Sequence, residues 1–545
     1  MMNAKYVVIG GGIAGVSCVS ELRRRLSDDD DDDGGGDEKI ILVTFSQILK
    51  TVRNVRRETR TIETFDVVSE DSETFQRSHP GIVVVRGVVE RIGSKCVHVF
   101  LDSEERIKIS FEKLCVCTGA TPLKCHPSCV TIRDTDSVRD LSKTLKGEMK
   151  RIAIIGNGGI AMEIVQSLRG SNLEIVWCIR DDFICNTMLD VNASMFFMNM
   201  MDRVVQDDER THDDGDFVDK HNAKQSFTTN IDMDKESLMG SGVGPHWRTL
   251  FRSALLDDTD DDDDTDDTKK RTRKKGTCTI RLETRVSLKN IITRDKKKIV
   301  QLSNGHEHEC DLVISAIGVR PNIKLFQDLN VKCEDGVAVD EQMRVIMTNS
   351  SSTKQNVFDS IYAAGDVTSV NVKLMLDDDD DDESTIKWFQ MRLWSQARLQ
   401  GLYAARCMCG EIDELTIGGG IAFEMFSHTT SFFDHKVVLL GLYNGQTLGE
   451  DYMRAVQRAY AKTEIDEKEK QKQHNHEVEI FLRMTPGIEY IKLVVRKHRL
   501  VGALLIGETD YEEALENLIL SGTKLSETLK SNILDPDFDL ADYFD

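Results

Sequence analysis

The 545-residue chain has no apolar run of 18 residues, which excludes a conventional membrane-spanning helix from its expected architecture. It shows no charged-then-apolar leader, and residues 6 to 22 are too glycine-rich and too patterned for a signal peptide. No CxxC spacing occurs, and the 13 cysteines are scattered. That distribution suits a reducing cytosol or nucleus and argues against a disulfide scaffold. Proline is scarce at 7 residues, aromatics make up 6% and hydrophobic residues 40%, the profile of a soluble α/β protein long enough for two to four domains.

The formal charge of −23 carries little information about partners. Three aspartate tracts, at 28–33, 257–267 and 377–382, contribute six, nine and six negative charges and leave the rest of the chain nearly neutral. Tracts this charged cannot be buried and are expected as solvated loop insertions. They lack the glycine-bearing loop ending in Glu that a calcium site needs, so no metal is expected there.

What the chain does contain is a glycine signature, twice. Residues 6–15, YVVIGGGIAG, run from an apolar strand into Gly10, Gly12 and Gly15 and open a helix at Ile13 and Ala14. Gly10 permits the tight turn, Gly12 lets backbone approach a pyrophosphate, and Gly15 lets the helix pack close to the strand. Residues 151–161, RIAIIGNGGIA, repeat the pattern with Gly156, Gly158, Ile160 and Ala161. A single GxGxxG also occurs in turns that bind nothing; two of them suggest two dinucleotide-binding domains.

IILVTF (40–45) and EIVWCI (174–179) read as the second strands of the two units. KLCVCTGATP (113–122) and DLVISAIGVRPN (311–322) are apolar segments ending in small-residue turns, and IYAAGDV (361–367) reads as a strand ending at Gly365-Asp366. The spacing in KWFQMRLWSQARLQGLYAARCM (387–408) predicts a helix. Residues 202–276 and 455–478 read as polar insertions, and strand-like KVVLLGLY, EYIKLVV and LVGALLIG precede a helical YEEALENLIL near the C-terminus.

This order of motifs resembles the two-dinucleotide-domain flavoprotein reductases of the pyridine nucleotide-disulphide oxidoreductase fold. IRDTDS, QMRLWSQAR, LLIGETD and the acidic end DYFD resemble a branch found in animals that is associated with guarding the tRNA ligase complex against oxidation. The resemblance implies an α/β fold of two Rossmann-like domains, the second inserted in the first, plus a C-terminal α+β domain. An FAD domain is expected at 1–149 and 325–415, an NAD(P) domain at 150–324, and the C-terminal domain at 420–545. It implies that Gly10, Gly12, Ile13, Ala14 and Gly15 cradle FAD, with Thr44, Thr118, Gly119, Gly365 and Asp366 beside it. Gly156, Gly158, Ile160, Ala161, Gly318 and Gln396 would border NAD(P), and Glu163 would face the nicotinamide. For Asp366 and Glu163 the competing readings are a helix cap and helix-dipole complementarity.

Two departures from the family pattern matter. The acid that usually ends the second strand and binds a ribose is replaced by Thr44 in the first unit and by Ile179-Arg180 in the second. Arg180 could pair with the 2′-phosphate of NADPH, although Asp181 and Asp182 stand beside it, so NADPH is slightly favoured and NADH is also expected as donor. Disulphide reductases of this fold need a thiol pair or one reactive cysteine beside the flavin, and the stretch where it is sought, FSQILKTVRNVRR (45–57), contains none. Cys115-x-Cys117 and Cys407-x-Cys409 read as packing cysteines; Cys125 and Cys129 occupy a loop that matches no redox pair of the fold.

Around a flavin without a dithiol, the resemblance implies Glu163 and Trp394 as catalytic groups, and Lys50 just beyond the second strand is a further candidate; for Lys50 a surface lysine and for Trp394 a core residue compete. Three functions are weighed: an FAD-dependent NAD(P)H oxidoreductase, a redox-linked protein that shields a partner such as the tRNA ligase catalytic subunit, and a thiol-disulphide reductase. The resemblance places the protein in nucleus and cytoplasm. The basic run Lys269–Lys275 reads as an import signal, an RNA contact or a solvated loop, and direct nucleic-acid binding is not expected. No dimer is assumed, because the dimers of disulphide reductases complete an active site this chain lacks.

Overall fold

A computed structural model describes residues 2–28, 39–132, 149–168, 173–199, 226–229, 278–348, 357–370, 387–411, 421–460 and 478–536, with a few isolated positions besides. The second and third aspartate tracts, the basic run and the acidic end fall outside the described residues, as does nearly all of the first tract.

The uniform burial of the first strands explains their place in the fold. β1 (Met2–Ile9) and β2 (Ile40–Thr44) pair in parallel, and Val7, Val8 and Leu42 are wholly buried, as a strand covered on both faces requires. β3 (Ile48–Arg57) and β4 (Glu63–Asp71) form a separate antiparallel ribbon. β5 (Ile82–Ile92) runs parallel to β2 at its start and antiparallel to β6 (Cys96–Leu101) further on; β6 pairs with β7 (Arg106–Val116), which returns parallel to β1. β1 thus lies between β2 and β7, the place where strand order reverses and nucleotides bind in open α/β sheets.

β8 (Ala120–Pro122) leads to a second unit with the same logic. β9 (Arg151–Ile155) lies between β10 (Glu174–Cys178) and, later in the chain, β16 (Leu312–Ser315), all parallel. β11 (Ser226–Thr229) is an antiparallel edge on β12 (Cys278–Glu283), which runs parallel to β10. The 202–276 segment, expected as a long polar insertion within this unit, contributes the strand β11 to the sheet. β13 (Leu288–Arg294), β14 (Lys297–Leu302) and β15 (Glu307–Cys310) form an antiparallel meander.

β17 (Val319–Pro321) pairs with β8 and stitches the two units together. The chain then returns to the first sheet: β18 (Cys333–Glu334), β19 (Gly336–Val339), β20 (Arg344–Ile346) and β21 (Val357–Ala363) extend it, with β21 parallel to β7, and β22 (Thr368–Val370) pairs with β19. The helix Trp394–Cys409 packs on the helix Ile13–Asp28. At the crossing a Cβ on Gly401 would stand 2.2 Å from the Ala14 carbonyl oxygen, so glycine there sets the approach.

The helix predicted across 387–408 begins only at Trp394, because Leu393 is extended (φ −110°, ψ 152°). The preceding stretch is held straight by side-chain packing: Trp388 is buried against Phe423, and Phe389 stacks on Phe426. At the other insertion, the helix Gly449–Tyr460 covers its first residues and buries Ala455.

β23 (Ser427–Phe432), β24 (His435–Gly441), β25 (Val478–Thr485), β26 (Glu489–Arg496) and β27 (Arg499–Ile506) form a five-stranded antiparallel sheet followed by the helix Glu512–Ser521. Phe432, Tyr443, Tyr490 and Leu504 pack with Trp177, Phe197 and Met162 of the second unit in one core. A buried ion pair fixes this docking: Lys492, fully buried, meets Asp190 at 2.5 Å, and Tyr490 Oη donates to the same carboxylate at 3.0 Å. Among the described residues no helix is long and apolar enough to cross a membrane.

Candidate functional site

The two glycine turns are built alike. Gly10 has φ +122°, and a Cβ there would lie 2.2 Å from the Cys117 carbonyl oxygen at the end of β7. Gly156 has φ +138°, and its Cβ would lie 2.1 Å from the Ala316 carbonyl oxygen at the end of β16. In each unit the first glycine lets the turn close against the neighbouring strand. Gly15 does the same for the helix, since its Cβ would stand 1.9 Å from the Gly10 carbonyl oxygen.

Gly12 differs: nothing lies within 4 Å of where its Cβ would be, and at Gly158 the nearest atom is Thr187 Oγ1 at 4.0 Å. The fold itself does not forbid a side chain at these two positions. An open cradle at the start of a helix, with backbone N–H groups facing it, is what a pyrophosphate requires. Ile13 and Ala14 are buried in the first helix start; Ile160 and Ala161 occupy the matching positions, with Ala161 fully buried. The residues of both turns thus fit a dinucleotide.

Thr44 is buried at the end of β2, with its Oγ1 2.6 Å from the Cβ a side chain at Gly11 would carry and donating to the Ser46 carbonyl at 3.2 Å. It therefore braces the glycine turn. Lys50 sits in β3, where its backbone N–H donates to the Gly11 carbonyl at 3.0 Å and its Nζ reaches Ser69 Oγ at 3.0 Å. The β3–β4 ribbon thus borders the first turn and contains no cysteine.

The TGATP and GVRPN segments converge through Asn322. Its backbone N–H donates to Gly119 O at 2.9 Å, its Nδ2 to Thr118 O at 2.8 Å, and its carbonyl accepts from Thr118 Oγ1 at 3.0 Å. Gly119 (φ +65°) and Gly318 (φ +100°) supply the turns on either side. Gly365 (φ +82°) meets Ala14, a Cβ there lying 2.8 Å from the Ala14 Cβ, so the Gly365-Asp366 turn lies against the start of the first helix. Gln400, buried in the Trp394–Cys409 helix, accepts from Gly365 N–H at 2.8 Å and Thr368 Oγ1 at 3.0 Å, and Arg392 Nε donates to the Asp366 carbonyl at 3.1 Å. Asp366 is half-buried on this turn.

Glu163 is buried, the fifth residue of the helix Gly159–Leu168, beyond its first turn. Its charge adds to burial in pushing the Cys185 thiol up to about 12. Trp394 is half-buried at the first position of its helix and packs on the first core. Gln396 has both ends of its amide engaged by the segment before its own helix: Nε2 donates to Phe389 O at 2.9 Å and Oε1 accepts from Met391 N–H at 2.8 Å. Its observed role is to lock the 389–394 strap that lies between the first and second cores.

Arg180 is exposed at the end of β10, and the two aspartates beside it are engaged elsewhere. Asp181 accepts from Asn157 Nδ2 at 2.9 Å, and Asp182 pairs with Arg285. No carboxylate among the described residues forms an ion pair with Arg180.

Asn157, the middle residue of the second GxG, is a residue sequence reasoning missed. Its amide also donates to Phe183 O at 2.8 Å and accepts from Cys185 N–H at 2.7 Å, tying the turn to the loop after β10, while Trp177 Nε1 donates to Gly156 O at 2.9 Å. Asn322 and Gln400 were missed too. An amide next to a glycine turn or on the helix after GD was the available signal.

The cysteines are all free. Cys115 and Cys117 are buried side by side, Sγ to Sγ 3.6 Å, and a hydrogen bond from Cys117 with burial raises the Cys115 thiol well above its ordinary range. Cys125 and Cys129 stand 3.4 Å apart, and the hydrogen bond from Cys129 lowers the half-buried Cys125 to about 6 while raising its partner.

The model of the pyridine nucleotide-disulphide oxidoreductase family matches residues 4–204 and 252–401. The chain is 33% identical over 574 residues to the human pyridine nucleotide-disulfide oxidoreductase domain-containing protein 1, covering 99% of this chain and 98% of that protein. It is 32% identical to the Drosophila melanogaster protein of that name, covering 100% of this chain and 99% of the other. Among solved structures, a ferredoxin reductase from Rhodopseudomonas palustris superposes with a TM-score of 0.60 at 15% identity, over 99% of each chain. A water-forming NADH oxidase from Lactobacillus brevis does so with 0.56 at 14%, over 99% of this chain and 95% of the other. These two likenesses speak to fold.

Proposed function

Because the chain belongs to the pyridine nucleotide-disulphide oxidoreductase family, whose members are pyridine nucleotide-dependent flavoprotein oxidoreductases, we propose that it is an FAD-dependent NAD(P)H oxidoreductase that works without a disulphide-reducing dithiol. The carrying observation is the pair of open glycine cradles at Gly12 and Gly158, each closed behind by a positive-φ glycine packed against its neighbouring strand. FAD in the first cradle supplies a two-electron acceptor for the hydride of NAD(P)H. The chain's part is to bind and orient: Gly10, Gly12 and Gly15 hold the pyrophosphate, Asp366 accepts ribityl hydroxyl bonds, and Thr118 and Gly119 border the isoalloxazine. Gly156, Gly158 and Ala161 hold the nicotinamide dinucleotide. Glu163 and Trp394 flank the nicotinamide, and Lys50 stands on the flavin side.

In this reading residues 1–149 with 325–415 serve FAD, 150–324 serve NAD(P), and 420–545 form the C-terminal unit. The cysteine-free β3–β4 ribbon beside the Gly11 backbone supports the absence of a thiol relay. It also favours a second reading, in which the reduced, nucleotide-bound protein shields a partner such as the tRNA ligase catalytic subunit in nucleus and cytoplasm during oxidative stress. Heat-denaturing the purified protein should release about one FAD per chain, and a colourless protein that takes up none contradicts the first reading. NAD(P)H-dependent capture of the ligase subunit supports the second, and capture indifferent to nucleotide removes it.

A further inference from the structure

The sequence NGHEHEC (304–310) enters β15 with two histidines at i and i+2, which an extended strand turns to the same face. That face meets the last residue of β12. Glu283, Oε1 and Oε2, lies 3.0 Å from His308 Nε2 and 2.9 Å from His306 Nδ1, and one donor atom from each of the three residues falls within 4.8 Å of the others. His308 is 96% buried by its 4% exposure, and its Nε2, although close to the carboxylate, makes no hydrogen bond. A buried imidazole nitrogen aimed at a buried carboxylate without hydrogen-bond geometry is costly unless something else uses its lone pair.

From this arrangement we propose that Glu283, His306 and His308 form a binding site for a divalent transition-metal ion of the Zn2+ class. Two imidazoles and a carboxylate make the nitrogen and oxygen donor set such ions prefer, and the exposed His306 gives an entry route and room for a water as fourth ligand. Ligand atoms on a tetrahedral Zn2+ sit about 3.3 Å apart, given bonds of about 2.0 Å, so the two Glu283 spacings need shifts of a few tenths of an ångström, and the donor atoms, which all lie within 4.8 Å, have to close by at most about 1.5 Å, a side-chain rotation of the exposed His306. Two more groups face the carboxylate: Arg281 Nε at 3.1 Å, whose charge opposes a cation, and Asn304 Nδ2 at 3.5 Å.

The site lies outside the dinucleotide cradles but is joined to one. Glu283 pairs with Cys178 across the sheet, and its carbonyl accepts from Ile179 N–H at 2.9 Å, one residue before Arg180. An ion held there pins the β13–β15 meander to the strand end that carries Arg180.

The test uses the full-length protein with its flavin, treated with chelator, desalted and titrated with Co2+ and with Zn2+. Wild type is expected to bind one equivalent that survives desalting, with a cobalt absorption edge showing nitrogen and oxygen ligands and no sulfur. His306→Ala, at an exposed position that does not threaten folding, and Glu283→Gln should each weaken that equivalent at least tenfold. Arg281→Gln should tighten it severalfold, whereas a merely structural His-Glu-Arg cluster gains no metal from losing its arginine. No retained equivalent, sulfur in the cobalt shell, or equal retention by His306→Ala overturns the proposal.

Discussion

Replacing Gly12 by alanine separates the fold from its ligand. The Cβ enters a space with no atom within 4 Å, and Gly12 is not among the glycines with positive φ, so the apoprotein should change by less than about 1 kcal/mol. The same methyl fills the gap through which backbone must approach a pyrophosphate, and FAD affinity should fall at least about tenfold, about 1.4 kcal/mol. Gly10→Ala behaves in the opposite way. Its Cβ would stand 2.2 Å from the Cys117 carbonyl oxygen, where ordinary contact begins at 3.4 Å, and its φ of +122° adds strain. About 1–3 kcal/mol for the backbone and a similar amount for the overlap should destabilise the protein before any ligand binds. Thermal unfolding of flavin-stripped protein, followed by FAD titration of the variants that remain folded, measures both effects. A Gly12→Ala protein that binds FAD as tightly as wild type would refute the assignment of the cradle.

Arg180→Glu should shift the NADPH-to-NADH ratio of kcat/KM toward NADH by at least about tenfold, since Asp181 and Asp182 already have other partners; an unchanged ratio removes Arg180 from the site. Asp190→Asn strips the buried Lys492 ammonium of its counter-ion and should cost about 3–5 kcal/mol in denaturant unfolding; a loss under about 0.5 kcal/mol contradicts the docking account. Burial lowers the Lys492 pKa, so the unfolded chain binds the proton more strongly between that lowered value and the ordinary 10.5, and stability rises with pH across this window. Without Asp190 the window reaches lower, so the penalty should ease as pH approaches 10.5. Cys125 should be the first thiol alkylated at neutral pH, its rate levelling off above about pH 6, while the exposed Cys333, raised by partial desolvation, lags; peptide mass spectrometry reads both.

The parts of the fold written as local periodicity were legible in the sequence. Val7-Val8-Ile9 before three glycines, and Ile154-Ile155 before Gly156, announce buried parallel strands and their turns, because burial on both faces leaves no polar alternation. The start of the helix predicted across 387–408 was not legible. Trp388 and Phe389 have helical spacing, yet aromatic packing against Phe423 and Phe426 from a distant segment overrides it. β11 was hidden because its partner β12 lies about 50 residues away, beyond any local pattern. At the site, Gly10 and Gly156 were readable as glycines that a turn demands. Gln396 was not, because its amide serves the backbone of Phe389 and Met391, a contact that depends on the strap's path. Nor was His308, whose significance comes from Glu283 on another strand.

The most direct test of the account is anaerobic titration of the purified protein with NADPH and NADH. The account predicts loss of oxidised flavin absorbance with two electrons taken up per FAD, a long-wavelength charge-transfer band between flavin and nicotinamide, and the same stoichiometry after every cysteine accessible to alkylation has been blocked. Uptake of four electrons per FAD that falls to two after alkylation would mean that a dithiol does accept the electrons, and a flavin that neither nucleotide reduces would contradict the proposed function itself.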